Sequence, residues 1–95
     1  MRIAIDFDDT LTMDAALWRI FIASCTSLGH SVICVTARRD TDDNNESISQ
    51  WMRSHGIDLR VYYTGLASKV EHMKKLNMPV DIWIDDDPKK CALGH

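Results

Sequence analysis

Ile3-Ala4-Ile5-Asp6-Phe7-Asp8-Asp9-Thr10 is the stretch that decides the fold: an apolar run stops in three carboxylates within four residues, followed by a hydroxyl. Ile3 to Ile5 read as a buried strand, with Phe7 continuing its apolar character. Side chains alternate along a strand, so Asp6 and Asp8 are expected to point the same way where it ends. Two adjacent carboxylates repel, and a low-dielectric site pushes one of them toward protonation. A divalent cation removes that conflict, and hard oxygen ligands suit Mg²⁺. The bland alternative is a strand that ends in a polar turn, where Asp is common.

Two further strand ends repeat the theme. Val80-Asp81-Ile82-Trp83-Ile84 runs into Asp85-Asp86-Asp87-Pro88, and Ser31-Val32-Ile33-Cys34-Val35-Thr36 ends in a hydroxyl followed by Ala37-Arg38. In an open parallel α/β sheet, ligands bind outside the carboxyl ends of the strands. Acids, a threonine and acids again therefore converge on one edge.

Between the strands lie helical patterns, which makes the chain α/β with βαβ units around a parallel sheet. Asp14 is placed to cap a helix to about Leu28, with Leu17, Ile20, Phe21, Ser24 and Leu28 as its inward stripe and Gly29 as its stop. After the polar loop that follows Thr36, Asp43 and Glu46 have the spacing of a capping box. Ile48, Trp51, Met52 and His55 then follow helical spacing, and Gly56 ends the helix. Leu59 to Tyr63 read as a short edge strand. Ser68 and Glu71 form another capping box, with Val70, Met73 and Leu76 facing inward. Pro79 closes that segment, and Val80 to Ile84 form the last strand.

The chain resembles the haloacid dehalogenase (HAD) superfamily of phosphohydrolases. Its first motif, DxDx(T/V), matches Asp6-Phe7-Asp8-Asp9-Thr10; its second, an apolar strand ending in Thr or Ser, matches Thr36. The third, a Lys early in a helix before the last core strand, is best matched by Lys69, with Lys74 and Lys75 as fallbacks deeper in the helix. The fourth, an apolar strand ending in acids, matches Ile84-Asp85-Asp86. The resemblance covers nearly the whole chain. It implies a three-layer Rossmann-like core whose parallel sheet of about four strands has the order 3-2-1-4. Cap domains are usually inserted after the first or second motif in this superfamily. Here the paths from Thr10 to Asp14 and from Thr36 to Asp43 are too short to hold one, which implies an open site.

The resemblance also implies roles. Asp6 is the nucleophile that forms an aspartyl-phosphate. Asp8 is the acid and base, and its main-chain carbonyl contacts the metal. Thr36 and Lys69 hold the phosphoryl oxygens. Mg²⁺ is held by Asp6, Asp8 and Asp85, with Asp86 reaching it through a water and Asp87 left to the turn before Pro88. Asp9 stands where the family most often has Gly, and reads as a solvated turn residue. Arg38 and Arg39 are equally open to substrate binding and to plain solvation. The implied activity is Mg²⁺-dependent hydrolysis of phosphomonoesters, with nucleotide or nucleic-acid phosphates among the candidate substrates. The alternative is a metal- and phosphate-binding regulatory domain with little turnover. A response-regulator receiver also sets acids, a Thr and a Lys around Mg²⁺, but its phospho-acceptor follows a middle strand, not the first.

Composition bounds the rest. Ninety-five residues, 45% hydrophobic and 26% charged, fit a single globular domain over 1–95 with a thin core. No apolar run nears the roughly 20 residues needed to span a bilayer. No secretory signal precedes the first strand. A net charge of −3 argues against general nucleic-acid binding. Cys25, Cys34 and Cys91 are odd in number and widely spaced, which points to free thiols in a cytoplasmic protein. The expected state is a monomer or small homo-oligomer. His30, His55, His72 and His95 read as surface or helix-end residues, Trp18, Trp51 and Trp83 as core, and Lys89 and Lys90 as a solvated turn.

Overall fold

The computed structural model describes residues 1–87; the expectations for Pro88, Lys89, Lys90, Cys91 and His95 lie outside them. Four strands, β1 (Arg2–Ile5), β2 (Ser31–Thr36), β3 (Val61–Tyr63) and β4 (Ile82–Ile84), form one sheet in the order β3-β2-β1-β4. Every pairing is parallel: Ile5 lies opposite Cys34 on one side and Ile84 on the other, and Thr36 opposite Tyr63. Three helices alternate with them, α1 (Ala15–Ser27), α2 (Asp42–His55) and α3 (Lys69–Lys75).

The sheet separates two cores. Ile5, Phe7, Leu11, Cys34, Ile48 and Met52 are buried on the side of α1 and α2. Ala4, Ile33, Val35 and Met73 are buried on the side of α3. Successive residues of β1 and β2 feed opposite cores, as a strand covered on both faces must. The connections β1-α1-β2 and β2-α2-β3 step the same way along the sheet, whereas β3-α3-β4 steps back across it. A right-handed crossover then puts α3 on the opposite face, giving three layers.

Local details depart from the sequence reading. In α1, Leu17, Ile20 and Leu28 are 53%, 69% and 76% exposed. Of the expected stripe Phe21 packs inward, joined by Trp18 and Ile22. The helix is apolar around much of its circumference, and its aromatic arc wins: Trp18 Nε1 donates to Thr10 O at 2.8 Å and the Trp18 ring meets Phe21 edge-on. Burying two aromatic rings removes more apolar surface from water than the aliphatic arc would. The cap of α2 is Thr41, not Asp43; Thr41 Oγ1 accepts from Asn44 N, and Asp42 and Asp43 stand in the first turn. In α3, Leu76 is exposed at 46% and the inward position is taken by Lys69. β3 and β4 begin two residues later than their apolar runs. Asp81 instead brackets the start of β1, accepting Arg2 N on Oδ2 at 2.7 Å and donating its own N–H to Arg2 O at 2.8 Å. Gly56 ends α2 at φ 68°, a left-handed turn that favours glycine.

No cap is present among the described residues. A single 3₁₀ turn, Leu11–Met13, links the first motif to α1, and residues 37–41 link β2 to α2.

Candidate active site

β1 stops at Ile5, and the chain turns over residues 7–10. The turn is pinned by its own backbone: Asp6 N donates to Ile84 O at 2.9 Å, and Leu11 N donates to Asp6 O at 3.2 Å. Leu11, fully buried, anchors its far end in the core. Asp9 sits at φ 60°, exposed, with its N–H donated to Thr12 Oγ1. That left-handed position explains why Gly would suit it; Asp is one of the residues that tolerates it best.

Because the strand ends before Asp6, strand alternation does not aim Asp6 and Asp8 together. They engage different cations. Lys69 Nζ, fully buried, donates to Asp6 Oδ1 at 2.7 Å and to Asp85 Oδ2 at 2.5 Å. Ser68 caps α3 by accepting Glu71 N, and this start sets Lys69 on the inward face beneath the strand ends. Thr10 Oγ1 donates to Asp6 Oδ2 at 3.4 Å, and Asp85 Oδ1 accepts from Asp87 N. Asp8, half exposed, is held by a fork from Arg38: Nε to Oδ2 at 2.9 Å and Nη2 to Oδ1 at 2.7 Å. The guanidinium of Arg38 also lies over the Phe7 ring, 5.2 Å from its centroid. Thr36 is buried at the end of β2, where its Oγ1 accepts from Arg38 N at 3.2 Å. A hydroxyl accepting there still has its own proton to donate.

Carboxylate oxygens of Asp6, Asp85 and Asp86 lie within 4.8 Å of one another. The side chain of Asp8 stands outside that group, which leaves its main-chain carbonyl as the ligand the resemblance assigns to it. Three carboxylates face one ammonium, a formal excess of two negative charges at a mostly buried point. Burial raises the Asp6 carboxyl to about 6, against the lowering effect of Lys69, and the neighbouring Asp86 and Asp85 push it the same way. Burial alone would lower the Lys69 ammonium, but its bonds to Asp6 and Asp85 outweigh that and raise it, so it stays charged. Hard oxygen donors with excess negative charge fit a divalent cation such as Mg²⁺.

The residues singled out from sequence thus fall into two adjoining sets: Asp6, Lys69, Asp85 and Asp86 as one centre, and Asp8, Arg38 and Thr36 beside it. Arg39 and the three residues Asp9, Lys74 and Lys75 are not drawn into either; Lys74 pairs loosely with Glu71 at 3.9 Å on the surface. What sequence reasoning missed is the wall that α2 raises beside Asp8. Ser47, Gln50 and Ser54 line a groove there with Trp51 and His55. Their i, i+3, i+7 spacing puts them on one face of α2, but Asn44, Asn45 and Ser49 are uncharged and polar as well, so composition alone did not single them out. Comparisons with protein-family models, with curated proteins and with solved structures return no match. Among the described residues no helix is long and apolar enough to cross a membrane.

Proposed function

We propose that the protein is a Mg²⁺-dependent phosphatase of the HAD type that hydrolyses phosphomonoesters through an aspartyl-phosphate on Asp6. The observation that carries this is the fully buried Lys69, bonded at once to Asp6 and Asp85, with Asp86 completing the acidic group. A lysine is almost never fully buried unless paired, and one placed between two strand-end carboxylates serves the site more than the core.

Phosphoryl transfer is mostly positioning and charge neutralisation. Asp6, fixed by Lys69 and Thr10, attacks phosphorus and displaces the alkoxide. Asp8 gives that alkoxide a proton and later takes one from the water that attacks the acyl phosphate. For Asp8 to act, the Arg38 fork has to open and Asp8 has to enter the step protonated. Once that proton has gone to the alkoxide, Arg38 is placed to hold the carboxylate again. Lys69, and the hydroxyl of Thr36, offer donors to the phosphoryl oxygens. Asp6, Asp85, Asp86 and the main-chain carbonyl of Asp8 would hold Mg²⁺, which would supply Lewis-acid neutralisation of phosphate charge. The half-buried Cys25 and buried Cys34, both free, accord with a reducing compartment such as the cytoplasm.

The bidentate Arg38–Asp8 pair favours a second reading, in which the acid is locked and the site binds phosphate and metal with little turnover. A screen of phosphorylated compounds, phosphorylated oligonucleotides included, separates the two. Phosphate release that needs Mg²⁺ and stops with EDTA is the expected result. Phosphate binding without release across the whole panel would establish the regulatory reading in its place.

A further inference from the structure

Beside Asp8, away from Lys69, a groove of about 470 Å³ opens between the turn after β1 and helix α2. Asp8 and Arg38 form its inner end, and Ser47, Gln50 and Ser54 its outer wall. These three are exposed, one helical face of α2, and uncharged. The other exposed positions of α2 are charged at Asp42, Asp43, Glu46 and Arg53 and uncharged at Ser49; Asp43, one turn before Ser47, continues the same face but does not line the groove. The aromatic side is continuous: Trp51 stacks on His55 with centroids 4.3 Å apart and meets Phe7 edge-on at 5.3 Å.

We infer that this groove is the leaving-group subsite, and that it selects phosphomonoesters whose leaving group is an uncharged ring bearing hydroxyls. The inference rests on the phosphatase reading, because Asp8 is the group that hands a proton to the leaving oxygen. A substrate whose phosphorus lies against Asp6 has to carry its leaving oxygen to Asp8, and the groove begins there. Its wall offers hydroxyl and amide groups that both donate and accept, which match alcohol groups on a ring. Its aromatic side suits the C–H faces of such a ring. Its one guanidinium stands against the Asp8 carboxylate, so a second phosphate there would meet a negative charge along with the cation. The volume fits a ligand of monosaccharide or nucleoside size. A hexose phosphate and the ribose of a nucleoside monophosphate share this chemistry.

The test compares kcat/KM for a hexose monophosphate, a ribonucleoside monophosphate and cyclohexyl phosphate, which has the ring without the hydroxyls. Wild-type protein is expected to favour one of the first two over cyclohexyl phosphate by at least about tenfold, which is ~1.4 kcal/mol; whichever is favoured identifies the source of the ring. The double variant Gln50→Ala/Ser54→Ala, at exposed helical sites that accept Ala, is expected to shrink that ratio to within about threefold. Arg53→Ala, on another face of α2, is expected to leave the ratio alone. No preference in the wild type, or a preference untouched by the double variant, overturns the assignment. Should no phosphate ester be hydrolysed, the phosphatase reading has failed. The groove is then judged by NMR titration with glucose and adenosine. Shifts confined to the amides around Ser47, Gln50 and Ser54 uphold it as a ring site, and their absence refutes it.

Discussion

At the scale of single residues, the centre is governed by charge in a place with little water. Asp6→Asn keeps the shape of the side chain and removes the charge of the proposed attacking oxygen. Phosphatase activity should fall below a hundredth of wild type while the circular dichroism spectrum stays native. Retention of more than about a tenth, less than ~1.4 kcal/mol of barrier, would remove Asp6 from the nucleophile's place. Lys69→Met leaves Asp6, Asp85 and Asp86 facing one another without their ammonium. Urea unfolding in EDTA should show a loss of about 3–5 kcal/mol, the usual consequence of stripping one partner from a buried ion pair. Cys34 lies next to this centre, fully buried; burial, with Asp6 nearby, pushes its thiol up to about 12. The folded pKa is above the ordinary value of 9.0, so the native state holds a proton that the unfolded chain releases. The stability this represents is complete below pH 9 and is lost as pH rises toward 12. In native protein at pH 8, Cys34 should resist alkylation until urea is added; rapid labelling there would contradict its burial.

At the scale of elements, α1 is the instructive case. Its sequence offers two apolar arcs, Leu17-Ile20-Leu28 and Trp18-Phe21-Ile22, and only one faces the sheet. Ile20→Gln should change stability by no more than about 0.5 kcal/mol, as a surface substitution does. Phe21→Ala should cost about 2 kcal/mol, less than the ~3–5 of a fully buried ring because Phe21 is only partly buried. Thermal or urea denaturation of the pair decides which arc is inside, and the reverse order of effects would restore the aliphatic stripe. The α2 cap shows the same local ambiguity on a smaller scale. Thr41, Asp42 and Asp43 are all acceptable caps, and Thr41 takes the place because its hydroxyl meets Asn44 N while both acids then sit in the first turn, favourable to the helix dipole.

At the scale of the molecule, β1 and β4 are neighbours although almost the whole chain separates them, and their ends share one acidic centre. A cation bound there joins first and last strands, so it should stabilise the fold. At a Mg²⁺ concentration a hundred times its dissociation constant the gain is about 2.7 kcal/mol. For a domain of this size each 1 kcal/mol moves Tm by roughly 4–8 °C. Asp85→Ala should abolish that Mg²⁺-dependent rise. Equal Mg²⁺ affinity in variant and wild type by calorimetry would place the cation away from β4.

The alternation of apolar strands and amphipathic helices, and the strand ends at Asp6, Thr36 and Asp85, were legible in the sequence by itself. Burial patterns of period two and 3.6, capping residues and Gly stops are local properties, and they fix the type and order of the elements. The resemblance read from the motifs supplied the strand order, which the sheet bears out. Lys69 was legible as well, since the Ser68 cap fixes its place in the helix. Three things only the tertiary structure decided. It chose the arc of α1 that is buried, because competing faces of one helix are ranked by what they pack against. It separated Asp6 from Asp8, because the strand ends one residue before the first acid and two different cations, each distant in sequence, claim them. It placed Arg38 across Asp8 and raised α2 beside them, because a groove is made by the distance between elements, and that distance is set by the side chains packed beneath it.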